Sequence, residues 1–274
     1  MSNTPRTVVV AAGLAAALST GAEATFHLMQ IEQVIGGVNG DVTAQAVQLR
    51  MRTGLQNLLG GARLWVRDAT GDNRILVMNF TAGVPVGLAG RRVLITSPGF
   101  NSTTSPSAVP DFTMTNLIPA SYLAAGTLTF EDNLGIFVYW RLSWGGAAYT
   151  GPNDGDICND PDGNFGPPWP GPLPSAGVQA LQFQGTAAAA SSNNADDYAL
   201  TSGSSEWVNN ALGVFLLESP CPWDCGDSDG EVGIVDFLAL LGEWGVVGGS
   251  CDFDGGGTGI TDFLALLGNW GPCP

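Results

Sequence analysis

The chain has no lysine and a single histidine, His27; all nine of its basic residues are arginine, set against twenty-five acids for a net charge of −16 over 274 residues. Without lysine there is no Schiff-base chemistry, and one histidine leaves almost nothing for general-base or histidine–zinc catalysis. No GxSxG elbow surrounds the serines between Ser102 and Ser107, so a hydrolase nucleophile has no support there. The acidic balance argues against nucleic acid and anionic membrane surfaces as partners, and makes divalent cations the natural ones. Two-carboxylate glycoside hydrolysis is the main enzymatic route left open. Glu131 and Asp132 are adjacent acids before Asn133 and Gly135, a pattern of a turn more than of half a catalytic pair. The balance is against an enzyme.

Charge is scarce overall, at 12% against 45% hydrophobic residues, which describes a folded chain with a largely uncharged surface. Long apolar runs are also lacking. Val8 to Leu18 is too short to span a bilayer and follows Arg6, and Ala22-Glu23-Ala24 is a small-x-small cleavage site. Residues 1–24 are therefore expected to be a signal peptide, and no later segment reaches the ~20 apolar residues of a membrane helix. Losing Arg6 and Glu23 together leaves the charge unchanged. The expected product is secreted, extracellular or at the cell surface, with a main domain over 25–218 and an appendage over 219–274.

Between Phe26 and Leu217 the pattern is strands and turns. Val47, Leu49 and Met51 alternate with Gln48, Arg50 and Arg52; Leu64 and Val66 alternate with Arg63, Trp65 and Arg67. Each is the form of a half-buried strand, and the arginines are expected on one solvated face. Further runs at 28–34, 75–80, 93–96, 128–131, 136–142, 178–183 and 214–217 bring the total to about nine strands with almost no helical periodicity. This predicts a mainly β fold, an antiparallel β-sandwich. The opening strand Met29–Val34, the loop Gly36–Asp41, the strand AVQLRMR and the phrase GARLWVRDATG resemble the lamin-tail type of immunoglobulin-like domain over about residues 26–100.

Residues 144–174 are too rich in glycine and proline for regular structure. Asp154, Asp156, Asp160, Asp162 and Asn164 fall close together there, among Trp144, Tyr149, Phe165 and Trp169. A further calcium site or a sugar-binding loop is one reading. A solvated loop whose acids cap turns is the other, and the absence of a bidentate glutamate favours it.

The last fifty-odd residues write one phrase twice, GIVDFLALLGEWG from Gly233 and GITDFLALLGNWG from Gly259, at an offset of 26. Phe237, Leu240, Leu241 and Trp244, and their counterparts Phe263, Leu266, Leu267 and Trp270, have the spacing of one helical stripe. Helices this short are unstable alone, so the two stripes are expected to pack together. Leu238 and Leu264 lie off the stripe and are expected to form an exposed docking surface. Cys221, Cys225, Cys251 and Cys273 all lie here, and in an oxidising compartment three connectivities are open. Cys221–Cys273 would clip the ends and Cys225–Cys251 would join equivalent positions of the repeat, so this pairing is favoured. Cys158 is left odd.

Acidic, glycine-rich stretches precede both phrases: DCGDSDGEV and CDFDGGGT. With the helices they resemble a type I dockerin repeat pair, EF-hand-like, of the kind found at the C-termini of secreted planctomycete proteins. The resemblance implies Ca2+ and a cohesin-like or other surface protein as partner. Counting back from Asp236 as the last ligand places Asp227 and Asp229 at the third and fifth positions and Cys225 at the first, with Asp224 available only if the loop bulges. Counting from Asp262 leaves Asp252 and Asp254 out of phase unless the loop is one residue shorter. The candidate metal residues are Asp227, Asp229, Glu231, Asp236, Asp252, Asp254 and Asp262. The function expected is a secreted, non-catalytic β-sandwich protein anchored or assembled through this module. The alternative is a polysaccharide-binding or glycoside-hydrolysing protein delivered by it.

Overall fold

The computed structural model describes residues 26–155, 163–217, 221–227 and 229–273. The expected signal peptide at 1–24, the acids Asp156, Asp160 and Asp162, and Cys158 lie outside the described residues. In chain order the elements are β1 (Met29–Ile35), β2 (Ala46–Met51), β3 (Ala62–Arg67), β4 (Arg74–Asn79), β5 (Arg92–Thr96), β6 (Thr104–Ser105), β7 (Phe112–Thr113), β8 (Gly126–Asp132), β9 (Val138–Trp144), β10 (Leu181–Phe183), α1 (Asn194–Asp197), β11 (Tyr198–Leu200), β12 (Glu206–Val208) and β13 (Val214–Leu217). The tail adds β14 (Glu231–Val232), α2 (Ile234–Gly242), α3 (Ile260–Gly268) and β15 (Gly271–Pro272).

A six-stranded sheet in the order β11-β10-β1-β2-β5-β7 faces a four-stranded sheet in the order β4-β3-β8-β9. All pairings are antiparallel except β5 with β7. Alternation assigns the faces: Val47, Leu49 and Met51 of β2, with Val93 and Ile95 of β5, join Leu64, Val66, Phe130, Trp140 and Leu142 of the other sheet in one buried core. In β1 the register shifts between Ile31 and Gln33, and the bulge restores Val34 to the core face after Met29 and Ile31. The chain is thus an antiparallel β-sandwich followed by a small helical part.

The outer face of the larger sheet is covered too. A three-stranded sheet, β12-β13-β6, lays Trp207, Phe215 and Leu217 over Ile35, Ala46, Leu94 and Phe100 as a second core. Polar side chains on that face are therefore buried and must find partners. Glu32 meets Arg50 at 3.0 Å and Arg92 at 2.7 Å, and accepts from Gln48 Nε2 at 2.9 Å. Gln48 Oε1 in turn accepts the Val208 amide of β12 at 2.6 Å, which ties the covering sheet down.

The expectation of one solvated arginine face is corrected here. Arg50 belongs to the six-stranded sheet beneath its cover, whereas Arg63 and Arg67 belong to the four-stranded one, where Arg67 pairs with buried Glu131 at 2.7 Å. Strand alternation reports which side chains share a face, not whether another layer lies over it. The Glu131-Asp132 pair ends β8, and Asp132 holds the turn that follows it by accepting the amides of Ile136 and Phe137 at 2.7 and 2.8 Å.

Candidate metal centre

Two short helices organise the tail. Gly233 and Gly259 precede α2 and α3 in extended conformation, and the acid three residues on accepts their amides: Asp236 Oδ2 from Gly233 at 2.7 Å and Asp262 Oδ2 from Gly259 at 2.8 Å. The second oxygens reach back into the loops, Asp236 Oδ1 to the Gly226 amide at 2.8 Å and Asp262 Oδ1 to the Phe253 amide at 2.7 Å. Each buried aspartate thus caps its helix and fastens its loop, and the negative charge sits favourably at a helix N-terminus. Phe237 and Phe263 meet with ring centroids 5.8 Å apart, above buried Leu240, Leu266 and Val232.

The disulfides are Cys221–Cys273 and Cys225–Cys251. The first closes the ends of the module; the second holds the two acidic loops together. Oxidation also removes thiolate as a metal ligand, so the donors available in the loops are oxygens.

In each loop three carboxylates converge. One oxygen from each of Asp224, Asp227 and Asp229 lies within 4.8 Å of the others, and the same holds for Asp252, Asp254 and Asp262. Asp224 is only 4% exposed, and its Oδ1 has no hydrogen-bond partner; Asp227 Oδ1 and Asp252 Oδ1 are likewise buried and unpartnered. Burial pushes the Asp224 carboxyl up to about 6, with the negative charges of Asp236, Asp229 and Asp227 adding to the shift. Asp227 is raised by burial and by Asp229 and Asp236. Orphaned, clustered carboxylate oxygens of this kind fit a hard cation, so either triad could hold a metal ion.

In the first loop the membership differs from the spacing count at two positions, with Asp224 in place of Cys225 and Asp236 left out. Asp227 and Asp229 come together with Asp224, while Asp236 borders the same cleft of about 230 Å³ with Glu231 but stands outside the triad. Glu231 is exposed on β14. Asp252, Asp254 and Asp262 come together because the second loop is shorter: Gly230 donates to Asp224 across six positions, Gly257 to Asp252 across five. Asp224 was legible only as a bulge alternative, since nothing in the spacing shows that Gly230 folds back on it.

The helical stripe is narrower than its spacing suggests. Phe237 and Leu240 face the partner helix, but Leu241 and Trp244, like Leu267 and Trp270, are about half exposed. A pair of nine-residue helices packed on each other covers one contact line only. Leu238 and Leu264 are 59% and 61% exposed, so the outer surface of the pair is broadly apolar. Residues 219–274 carry nine acids and no basic residue.

The second acidic loop offers less. Asp154 is exposed and its backbone bridges to Asn164, while its carbonyl accepts from Arg141 Nε at 2.6 Å. Trp144, Tyr149 and Phe165 are buried in the sandwich and present no aromatic platform; Trp169 alone of these borders a groove. No helix among the described residues is long and apolar enough to cross a membrane. No protein-family model matches the chain, and neither does any curated protein.

Proposed function

We propose that the chain is an exported, non-catalytic β-sandwich protein that is anchored or assembled outside the cell through residues 219–274, acting as a dockerin-like, calcium-dependent docking module. The observation that carries this reading is Asp224: a carboxylate buried to 4% exposure, with one oxygen unpartnered and two further aspartates beside it. A buried, uncompensated charge is costly and is normally retained with a counter-ion. The donors are all oxygen, which suits Ca2+. Asp224, Asp227 and Asp229 would hold it in the first loop, and Asp252, Asp254 and Asp262 in the second. Bound there, Ca2+ supplies positive charge that offsets the clustered carboxylates and fixes each loop against its helix.

The two disulfides support an oxidising compartment. The exposed leucines of α2 and α3, with Trp244 and Trp270 just beyond their C-terminal ends, support a protein partner, a cohesin-like or other surface receptor, because an apolar surface of this breadth is unusual on a solitary module.

The reading is tested by titrating CaCl₂ calorimetrically into the EDTA-treated full chain and then measuring capture on a panel of immobilised cohesin-like receptors with and without Ca2+. Saturable heat and calcium-dependent capture are expected. Absence of heat ends the metal claim; heat without capture by any receptor ends the docking claim.

A further inference from the structure

A groove of about 570 Å³ runs along the junction of the sandwich and the tail, and a residue of the first acidic loop, Asp229, stands on its edge. Its walls are apolar, with Leu123, Trp169, Leu173 and Leu200 among them. The size falls in the range of small-molecule sites. The charge of the lining is one-sided. Pro172 and Pro174 have no N–H, the Leu173 amide is spent on the Leu123 carbonyl at 2.8 Å, and Gln179 Nε2 is spent on the Thr201 carbonyl at 2.9 Å. The Asp229 carboxylate and Gln179 Oε1 are acceptors, the Ser175 hydroxyl and the Trp169 indole N–H add donors, and Asp229 is the only charged residue among the described residues of the lining.

Asp229 is held at this edge. The next residue, Gly230, has φ +91° and approaches so closely that an added Cβ would stand 3.0 Å from the Ala176 carbonyl oxygen. The Cys273 amide donates to the Gly230 carbonyl at 2.9 Å, and the Cys221–Cys273 disulfide fastens that end of the chain. The groove therefore has a fixed geometry: an apolar trough with a carboxylate at the rim, on a chain of net charge −16.

We propose that this groove binds a small organic cation, an aliphatic or aromatic body seated against Trp169, Leu173 and Leu200 with an ammonium group paired to Asp229. An anion would meet Asp229 and the negative field of the chain; a neutral apolar molecule would desolvate the carboxylate without replacing its water. A cation satisfies the acceptor, and the indole of Trp169 adds an attractive wall for positive charge. The site is separate from the helical docking surface but shares Asp229 with the first acidic loop, so Ca2+ held there competes with the ammonium group for that carboxylate.

Three probes with one apolar body and different heads test it on the full chain in EDTA: 4-phenylbutylamine, 4-phenylbutanol and 4-phenylbutyrate, followed by calorimetry and by amide shifts around Gln179 and Leu173. The amine is expected to bind saturably, about tenfold or more tighter than the alcohol, as a charge-assisted hydrogen bond implies, and the acid not to bind. Asp229→Asn keeps the acceptor that the Glu231 amide uses at 2.8 Å, and is expected to bring the amine down to the alcohol's affinity while leaving the alcohol unchanged. Trp169→Ala is expected to weaken both. Equal binding of all three probes, no saturation by the amine, unchanged amine affinity in Asp229→Asn, or binding only by a basic peptide would each overturn the proposal.

Discussion

The Gly230 amide donates to Asp224 Oδ2 at 2.8 Å and leaves Asp224 Oδ1 buried without a partner. One backbone bond thus folds the loop so that the residue before Cys225 occupies the place a spacing count assigns to Cys225 itself. The carboxylate is pinned by one oxygen and uncompensated on the other, which gives its replacement effects of opposite sign with and without a cation.

Asp224→Asn keeps an acceptor for Gly230 and removes the charge. In EDTA the variant is expected to melt at or above the wild-type temperature, because a buried charge has been deleted. Its calcium affinity is expected to fall by about tenfold or more, with a corresponding loss of the ~2.7 kcal/mol that a ligand supplies at a hundred times its Kd. Thermal melts with and without Ca2+ read both. A variant less stable in EDTA but unchanged in calcium affinity would show that Asp224 only closes the loop.

Acidity offers a second approach to the same group. The Asp224 carboxyl is raised by folding from 3.8 to about 6, so the folded state binds the proton more tightly than the unfolded chain. Its contribution to metal-free stability is therefore greatest at low pH and is lost as pH rises through the window from about 4 to 6. Melts in EDTA across pH 4–7.5, taken as the difference between wild type and Asp224→Asn to cancel other acids, should show the wild type losing ground as pH increases. A difference independent of pH would contradict the assignment. Calcium affinity should run the other way, rising with pH, because the metal competes with that proton.

Glu32 sits 3% exposed between Arg50 and Arg92 beneath the third sheet. Glu32→Gln leaves two guanidinium groups without their counter-charge. The expected cost is about 3–5 kcal/mol in urea unfolding, typical of breaking a buried pair from one side. A loss below about 1 kcal/mol would place the network in solvent-like surroundings.

On the helices, Leu238→Asp with Leu264→Asp alters exposed positions away from the Phe237–Phe263 contact. Stability should change by no more than about 0.5 kcal/mol per site. Capture by a calcium-dependent receptor should disappear. Intact capture would move the docking surface elsewhere, to Trp244 and Trp270 first.

Local chemistry was readable where it decides the outcome locally. Alternation located β2 and β3, and the run Val214–Leu217 is β13 to the residue. The repeat placed α2 and α3, and the repeat positions of Cys225 and Cys251 pointed to their bond. What could not be read is what tertiary layering decides. β6, β7, β11 and β12 have only two or three residues each, too few for a period, yet β6 and β12 belong to the cover whose backbone partners buried Gln33 and Gln48. The same limit hid Trp144, Tyr149 and Phe165, whose glycine-rich surroundings suggested a surface platform and whose rings are in the sandwich. In the metal loops the acids were visible but the fold-back of Gly230 was not.

The Cys221–Cys273 bond, with Cα atoms 5.6 Å apart, joins the end of the tail to the point where the chain enters it. If the module docks as proposed, a tensile load between the sandwich and a receptor gripping the helices would arrive at a covalent ring. The two ends of the module could not then be peeled away strand by strand, and the attachment would fail by shearing the helical face off its receptor as a unit.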